Sequence, residues 1–272
     1  MNIKSIFFFC LLLLIIAGCG NDKGNSGTTE PAPQTPVISF RVLKYLHHDT
    51  SLFTEGLVMH NGQLFESTGS PDELPSARSM IGITDLQTGK FDKKIELDRT
   101  KYFGEGIVFL NGKLYQLTYK NKTGFIYDAT SFKQIGSFTY SNTEGWGMTT
   151  NGKELIMSDG SSELTFIDPA TLQPTKKLSV TENGVSLNKL NELEYIRGFI
   201  YANVWLTNYI VKIDANDGKV VGKLDLNILA FEARNKNPNV EVLNGIAFDS
   251  TTNNVYVTGK LWANIYEIKL PD

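Results

Sequence analysis

Apolar and polar residues alternate in short runs along most of this chain, and the runs return in a fixed order. Five times a short polar signature precedes a strand-like run. The five are Phe53-Thr54-Glu55-Gly56, Phe103-Gly104-Glu105-Gly106, Thr143-Glu144-Gly145-Trp146-Gly147, Leu190-Asn191-Glu192-Leu193-Glu194 and Leu243-Asn244-Gly245-Ile246-Ala247. Each continues into a turn and a second strand, which pairs 57–60 with 64–67, 107–110 with 114–118, and 148–150 with 155–158. Asn61-Gly62, Asn111-Gly112 and Asn151-Gly152 supply the first three turns, because Asn and Gly take up positive φ at little cost. Arg197-Gly198 and Asn253-Asn254 stand at the same place in the last two units.

A second element recurs in step, an apolar strand that ends in Asp before a polar turn. Asp85, Asp128, Asp168 and Asp214 hold this position, where an Asp side chain bonds its own backbone and ends the strand. A strand unit repeating every ~40–50 residues is the signature of a propeller. The pattern therefore predicts an all-β chain, a five-bladed β-propeller of four-stranded blades with its active site at the central channel. The alternating stretch 37–46 is expected to close the ring by pairing with the last strand, 265–269. Only 226–235 has helical character, and 70–80, with Pro71 and Pro75, is expected to cross one face as a loop.

The first residues follow another pattern. A basic start at Lys4, a continuous apolar run over 6–16 and then Ala17-Gly18-Cys19 form a secretion signal. Its end resembles a bacterial lipobox, which implies cleavage before Cys19 and lipidation of that thiol. The expected organisation is a signal peptide over 1–18, a lipidated Cys19 with a Pro- and Gly-rich tether over 19–36, and the propeller over 37–272. The protein is then exported and anchored to a bacterial membrane, periplasmic or at the cell surface. The alternative is an ordinary signal peptide or a short membrane anchor. Cys10 and Cys19 are the two cysteines, so the propeller segment has no disulfide or thiol chemistry.

Charge is balanced, with 26 basic and 29 acidic residues and a net charge of −3. No basic stripe points to nucleic acid, and a monomer is expected. The three histidines, His47, His48 and His60, lack the spacing of a zinc site. His47 and His48 are read as loop residues, with the channel mouth as the alternative. No metal and no cofactor is called for.

The signatures, with Thr118-Tyr119, Asn203-Val204-Trp205 and Thr258-Gly259-Lys260-Leu261-Trp262, resemble the plant-type glutaminyl-peptide cyclotransferases, which also occur in bacteria. The resemblance spans residues 40 to 270. It implies a five-bladed propeller that converts N-terminal Gln of peptides and proteins to pyroglutamate, releasing ammonia without a catalytic metal. Motif by motif, it places the catalytic carboxylate on Glu105, the pocket aromatics on Phe53, Phe103, Trp146 and Trp205, and the polar contacts on Asn191 and Lys260. Two positions depart from the family, which commonly has Gln in place of Glu55 and Trp in place of Tyr119. Both residues are still expected to face the substrate.

Cyclisation needs a proton taken from the attacking amine and one given to the leaving nitrogen, and a single carboxyl can do both. Glu105 is assigned that shuttle, with Lys260 or Asn191 steadying the oxyanion. Burial and a neighbouring Glu55 are expected to push Glu105 up, with Lys260 opposing. Of Glu192 and Glu194, at most one is expected to face the channel, and Trp262 is expected in the core. Two rival readings remain, a non-catalytic propeller lipoprotein that binds a peptide or glycan at the channel mouth, and a calcium-dependent hydrolase-like propeller. The second calls for Asp and Asn converging on a metal, whereas this chain offers Glu and aromatics.

Overall fold

The computed structural model describes residues 34–271. The signal segment, Cys19 and the tether as far as residue 33 lie outside the described residues. Five four-stranded antiparallel sheets follow one another along the chain. Their inner strands are Thr54–His60, Gly104–Leu110, Met148–Thr150, Leu190–Ile196 and Leu243–Asp249, and these stand side by side as a ring. The sheets are blades 1 to 5 of a propeller.

Blade 5 takes its outermost strand, Arg41–His47, from the start of the domain, paired antiparallel with Asn264–Lys269. Pro36, assigned to the tether by composition, already accepts a 2.8–2.9 Å class of backbone bond: Lys223 N–H donates to its carbonyl at 2.9 Å. Ordered pairing thus begins slightly before the expected boundary. A buried ion pair fastens the closure from the other side. His48 donates from Nε2 to Glu66 in blade 1 at 3.0 Å and from Nδ1 to the Trp262 carbonyl at 2.7 Å. His48 is buried and decorates neither a loop nor the channel mouth; His47 is exposed. Burial alone pushes the His48 imidazole down, but the Glu66 carboxylate beside it more than offsets this and holds it up.

Local chemistry sets most of the turns. Asn61-Gly62 and Asn111-Gly112 have positive φ at both residues (50° and 73°, 52° and 71°), the type that two-residue hairpins need. Asn151 differs, because its Oδ1 accepts the Lys153 and Glu154 N–H groups and the connection widens to four residues. In the fifth unit Asn253 is left-handed, but Asn254 already belongs to the next strand. Asp85, Asp128, Asp168 and Asp214 each cap their turns by accepting N–H groups two or three residues ahead.

Blades pack through apolar faces. The largest cluster joins blades 4 and 5 around Trp262 and Tyr266, and the helix Asn227–Lys236 covers it with Leu229, Ala230 and Ala233. Residues 69–79 form a loop between the second and third strands of blade 1, and Pro71, Glu73 and Leu74 of this loop reach the channel mouth.

Candidate active site

Four inner strands break register at their first residues, between Thr54 and Gly56, Gly104 and Ile107, Leu190 and Leu193, and Leu243 and Ile246. A bulge re-aims the side chain it contains. Those side chains are Glu55, Glu105, Asn191 and Asn244, and the repeat brings them to the same end of the channel. Blade 3 has Trp146 at that position. The next residue, Gly147, lies where a Cβ would stand 2.2 Å from the Asn191 carbonyl oxygen, and Gly56 and Gly106 follow Glu55 and Glu105 at the same close approach to the next blade.

A second ring of equivalent positions follows the second strands. The N–H groups of Gly69, Tyr119, Trp205 and Lys260 donate to the carbonyls of Phe53, Phe103, Lys189 and Val242. Gly69 leaves a gap that Phe103 fills, since a Cβ there would meet the Phe103 ring at 2.2 Å. Gly160 likewise leaves room for Trp146, at 2.7 Å. One repeated backbone position thus gives two gaps for aromatic rings, an aromatic wall and a cation.

Between these rings lies a cavity of about 710 Å³. All nine pocket residues expected from the sequence line it: Phe53, Glu55, Phe103, Glu105, Tyr119, Trp146, Asn191, Trp205 and Lys260. Trp146 stands edge-on to Trp205 at 5.6 Å between ring centroids, and Phe53 edge-on to Phe103 at 6.3 Å. Tyr119 continues the wall 5.7 Å from Phe103.

The floor is polar and closed to solvent. Lys260 donates to Glu55 Oε1 at 2.7 Å, with its ammonium 4.6 Å from the centre of the Phe53 ring. Asn244 donates to Glu55 Oε2 at 3.2 Å and to the Thr54 carbonyl at 3.0 Å. Glu55 and Glu105 are neighbours in this cavity, near enough for the charge of one to act on the other. Burial pushes Glu55 up, and Lys260 pulls it partly back. Glu105 lies well above the usual carboxyl range, first through burial, then through the Glu55 charge, with Lys260 opposing and Glu144 adding to the rise. Asn191 is 3 % exposed and its Oδ1 has no partner within the protein, leaving one buried acceptor facing the cavity.

The structure adds residues that the signatures did not single out as site residues. Glu144 accepts the Trp146 indole N–H at 2.9 Å and so fixes that ring. Glu73, Leu206, Glu241 and Val242 join the rim. Glu144 was within reach of sequence reasoning, since it stands in a signature beside a tryptophan. Trp262 is 1 % exposed and belongs to the core.

One expectation is corrected. Glu192 and Glu194 both point inward, because residues two apart on a strand share a face and the intervening Leu193 takes the other. Glu192 accepts the N–H groups of Leu57 and Ile246, and Glu194 those of Phe248 and the Thr149 hydroxyl. They tie blade 4 to blades 1, 3 and 5 deep in the channel. Among the described residues, no three His, Cys, Asp or Glu side chains converge to hold a metal ion.

A propeller whose channel ends in two neighbouring carboxyls, an ammonium and a free amide oxygen, walled by aromatic rings, is a class of protein suited to moving protons on a small polar group. The chain belongs to the glutamine cyclotransferase family, whose sequence profile matches residues 11–270. It is 40% identical over 252 residues to the glutaminyl-peptide cyclotransferase of Arabidopsis thaliana, covering 92% of this chain and 77% of that protein. The crystal structure of Myxococcus xanthus glutaminyl cyclase matches with a TM-score of 0.77 at 31% identity, over 87% of this chain and 100% of that one.

Proposed function

We propose that this enzyme cyclises N-terminal glutamine of peptides and proteins to pyroglutamate in the aromatic-walled cavity, with Glu105 as the proton shuttle. The observation that carries the reading is the Glu105 carboxyl itself, buried at the cavity floor in the same cavity as a second carboxyl, Glu55, which Lys260 holds at 2.7 Å. The reaction joins the α-nitrogen to Cδ of the same residue and expels the amide nitrogen as ammonia. Because both reacting atoms belong to one residue, holding its side chain folded back on its amine removes much of the barrier. Trp146, Trp205, Phe53, Phe103 and Tyr119 form the slot that does so.

A protonated Glu105 has an oxygen that accepts and a hydroxyl that donates. One takes the proton the amine loses on attack, and the other gives a proton to the departing nitrogen. The carboxyl ends in the state in which it began, and the products are a lactam and NH3. Lys260 spends one of its three N–H donors on Glu55 and has others for the developing oxyanion. The bare Asn191 Oδ1 accepts an N–H from the substrate. The attacking amine must be neutral, and an α-amino group has a pKa of about 7.7–8.0, so activity rises with pH until Glu105 begins to lose its proton.

The test is ammonia release from a Gln-initiated peptide, alongside the same peptide acetylated at its N-terminus. The free peptide should release ammonia and lose 17 mass units (about the mass of NH3, as the reaction's balance requires); the acetylated one should not. The scheme contains no metal, so turnover should persist in EDTA. Folded protein without turnover would favour the rival reading, a propeller that only binds peptide or glycan.

A further inference from the structure

Glu55 and Glu105 hold equivalent places at the start of neighbouring inner strands and line one cavity, and their partners decide which carries a proton. Lys260 donates to Glu55 Oε1 at 2.7 Å and Asn244 to Oε2 at 3.2 Å. Glu55 thus accepts on both oxygens and has an ammonium beside it, the surroundings of an anion. Among the described residues no cation is paired with the buried Glu105 carboxyl, which favours its neutral, proton-bearing form.

We propose that Glu55 and Lys260 form a fixed charge pair that holds Glu105 in its proton-bearing form, making Glu55 a positioning residue for cyclisation. This rests on the reading of Glu105 as the shuttle. Glu55 is 2 % exposed and lines the same cavity, so its charge acts on Glu105 with little screening from water. It also occupies Lys260, which would otherwise be free to pair with Glu105 and hold it as an anion. A neutral amide at position 55 reverses both effects. It removes the neighbouring negative charge and releases the lysine toward Glu105.

The other groups that act on Glu105 leave this balance intact. Glu144, which precedes the inner strand of blade 3, favours the protonated form. Tyr140 lies near enough to feel the Glu105 charge, but its hydroxyl donates to the Thr118 carbonyl and burial pushes its own pKa up to about 12. The pair of opposite charges from blades 1 and 5 is therefore the element that a single substitution at 55 changes.

The experiment compares the full chain with its Glu55→Gln and Glu105→Gln variants. In Glu55→Gln the descending, alkaline limb of the kcat profile should move down by about one pH unit or more, the size expected when a like charge is removed from a buried carboxyl. At a fixed pH on that limb the shift reads as a roughly tenfold loss of kcat per unit. A readout independent of turnover is the infrared carbonyl band of a protonated carboxyl. The band assigned to Glu105, by its absence in Glu105→Gln, should titrate away at lower pH in Glu55→Gln than in the wild type. Coincident limbs and coincident titrations, in a variant with native circular dichroism, would overturn the proposal. If the wild type cyclises nothing but the band still shifts, the charge pair stands and the assigned reaction falls.

Discussion

Glu105 is 5 % exposed and has a carboxyl neighbour and an aromatic enclosure, and each of these favours a neutral acid over an anion. Its amide variant keeps the shape and loses the proton. Glu105→Gln should therefore lower kcat by at least ~10²-fold, within the range for removal of a general acid–base group, while KM changes little. A large rise in KM with kcat preserved would make Glu105 a binding residue instead. Glu105 and its neighbours were legible because each stands in a short motif of chemically distinctive residues. That Glu55 is paired with Lys260 and Asn244 was not legible, since these are 205 and 189 positions away.

Among the strands, the start of each inner strand decides what the channel receives. Blades 1, 2, 4 and 5 present a carboxyl or amide there and blade 3 the Trp146 ring, and the glycine that follows in blades 1, 2 and 3 sits where the neighbouring blade presses close. Gly147→Ala tests this, because the added Cβ would meet backbone atoms of Asn191 and Glu192 at 2.2 and 2.7 Å. Backbone cannot swing aside as a side-chain tip can, and overpacking of this kind costs roughly 1–3 kcal/mol. The variant should melt at lower temperature and also lose activity, since Asn191 moves with the strand. An unchanged melting curve would show that blades 3 and 4 slide apart freely. The Asp-capped turns and the Asn-Gly hairpins could be read in advance because their geometry is set within four residues. The wider turn at Asn151 could not, since its outcome depends on how blade 3 pairs. Glu192 and Glu194 follow from strand alternation alone, and the structure agrees with that rule.

For the molecule as a whole, the ring closes through a shared blade, and buried charges reinforce the closure. Among the described residues His48 is the only cation bonded to Glu66, which otherwise accepts from the Thr54 and Thr84 hydroxyls. His48→Ala leaves that carboxylate buried without its counter-charge, a loss of about 3 kcal/mol or more, and the melting temperature should fall accordingly. Stability should also depend on pH. Burial raises Glu194 to about 8 and Glu192 well above 4.5. A raised folded pKa means that the folded state binds more protons than the unfolded one, so stability is greatest below the unfolded value and declines as pH climbs through the folded one. His48, also raised, acts with the same sign. The melting temperature should thus fall between roughly pH 5 and pH 9, and Glu194→Gln should flatten part of that slope. A melting temperature that rises over the interval would contradict the protonated channel.

The sequence by itself determined the number of blades, the closing strand and most of the turns, through alternation, turn chemistry acting over a few residues and a repeat that carries equivalent positions to one axis. The nine residues around one cavity were named by the resemblance of its motifs to the family. Tertiary structure decided which polar groups meet. The Glu55–Lys260 pair, the placing of Glu55 beside Glu105, the buried His48–Glu66 staple and the glycine gap filled by Phe103 all join different blades or distant strands. Their energies come from distance and from exclusion of water, and both exist only once the ring has closed.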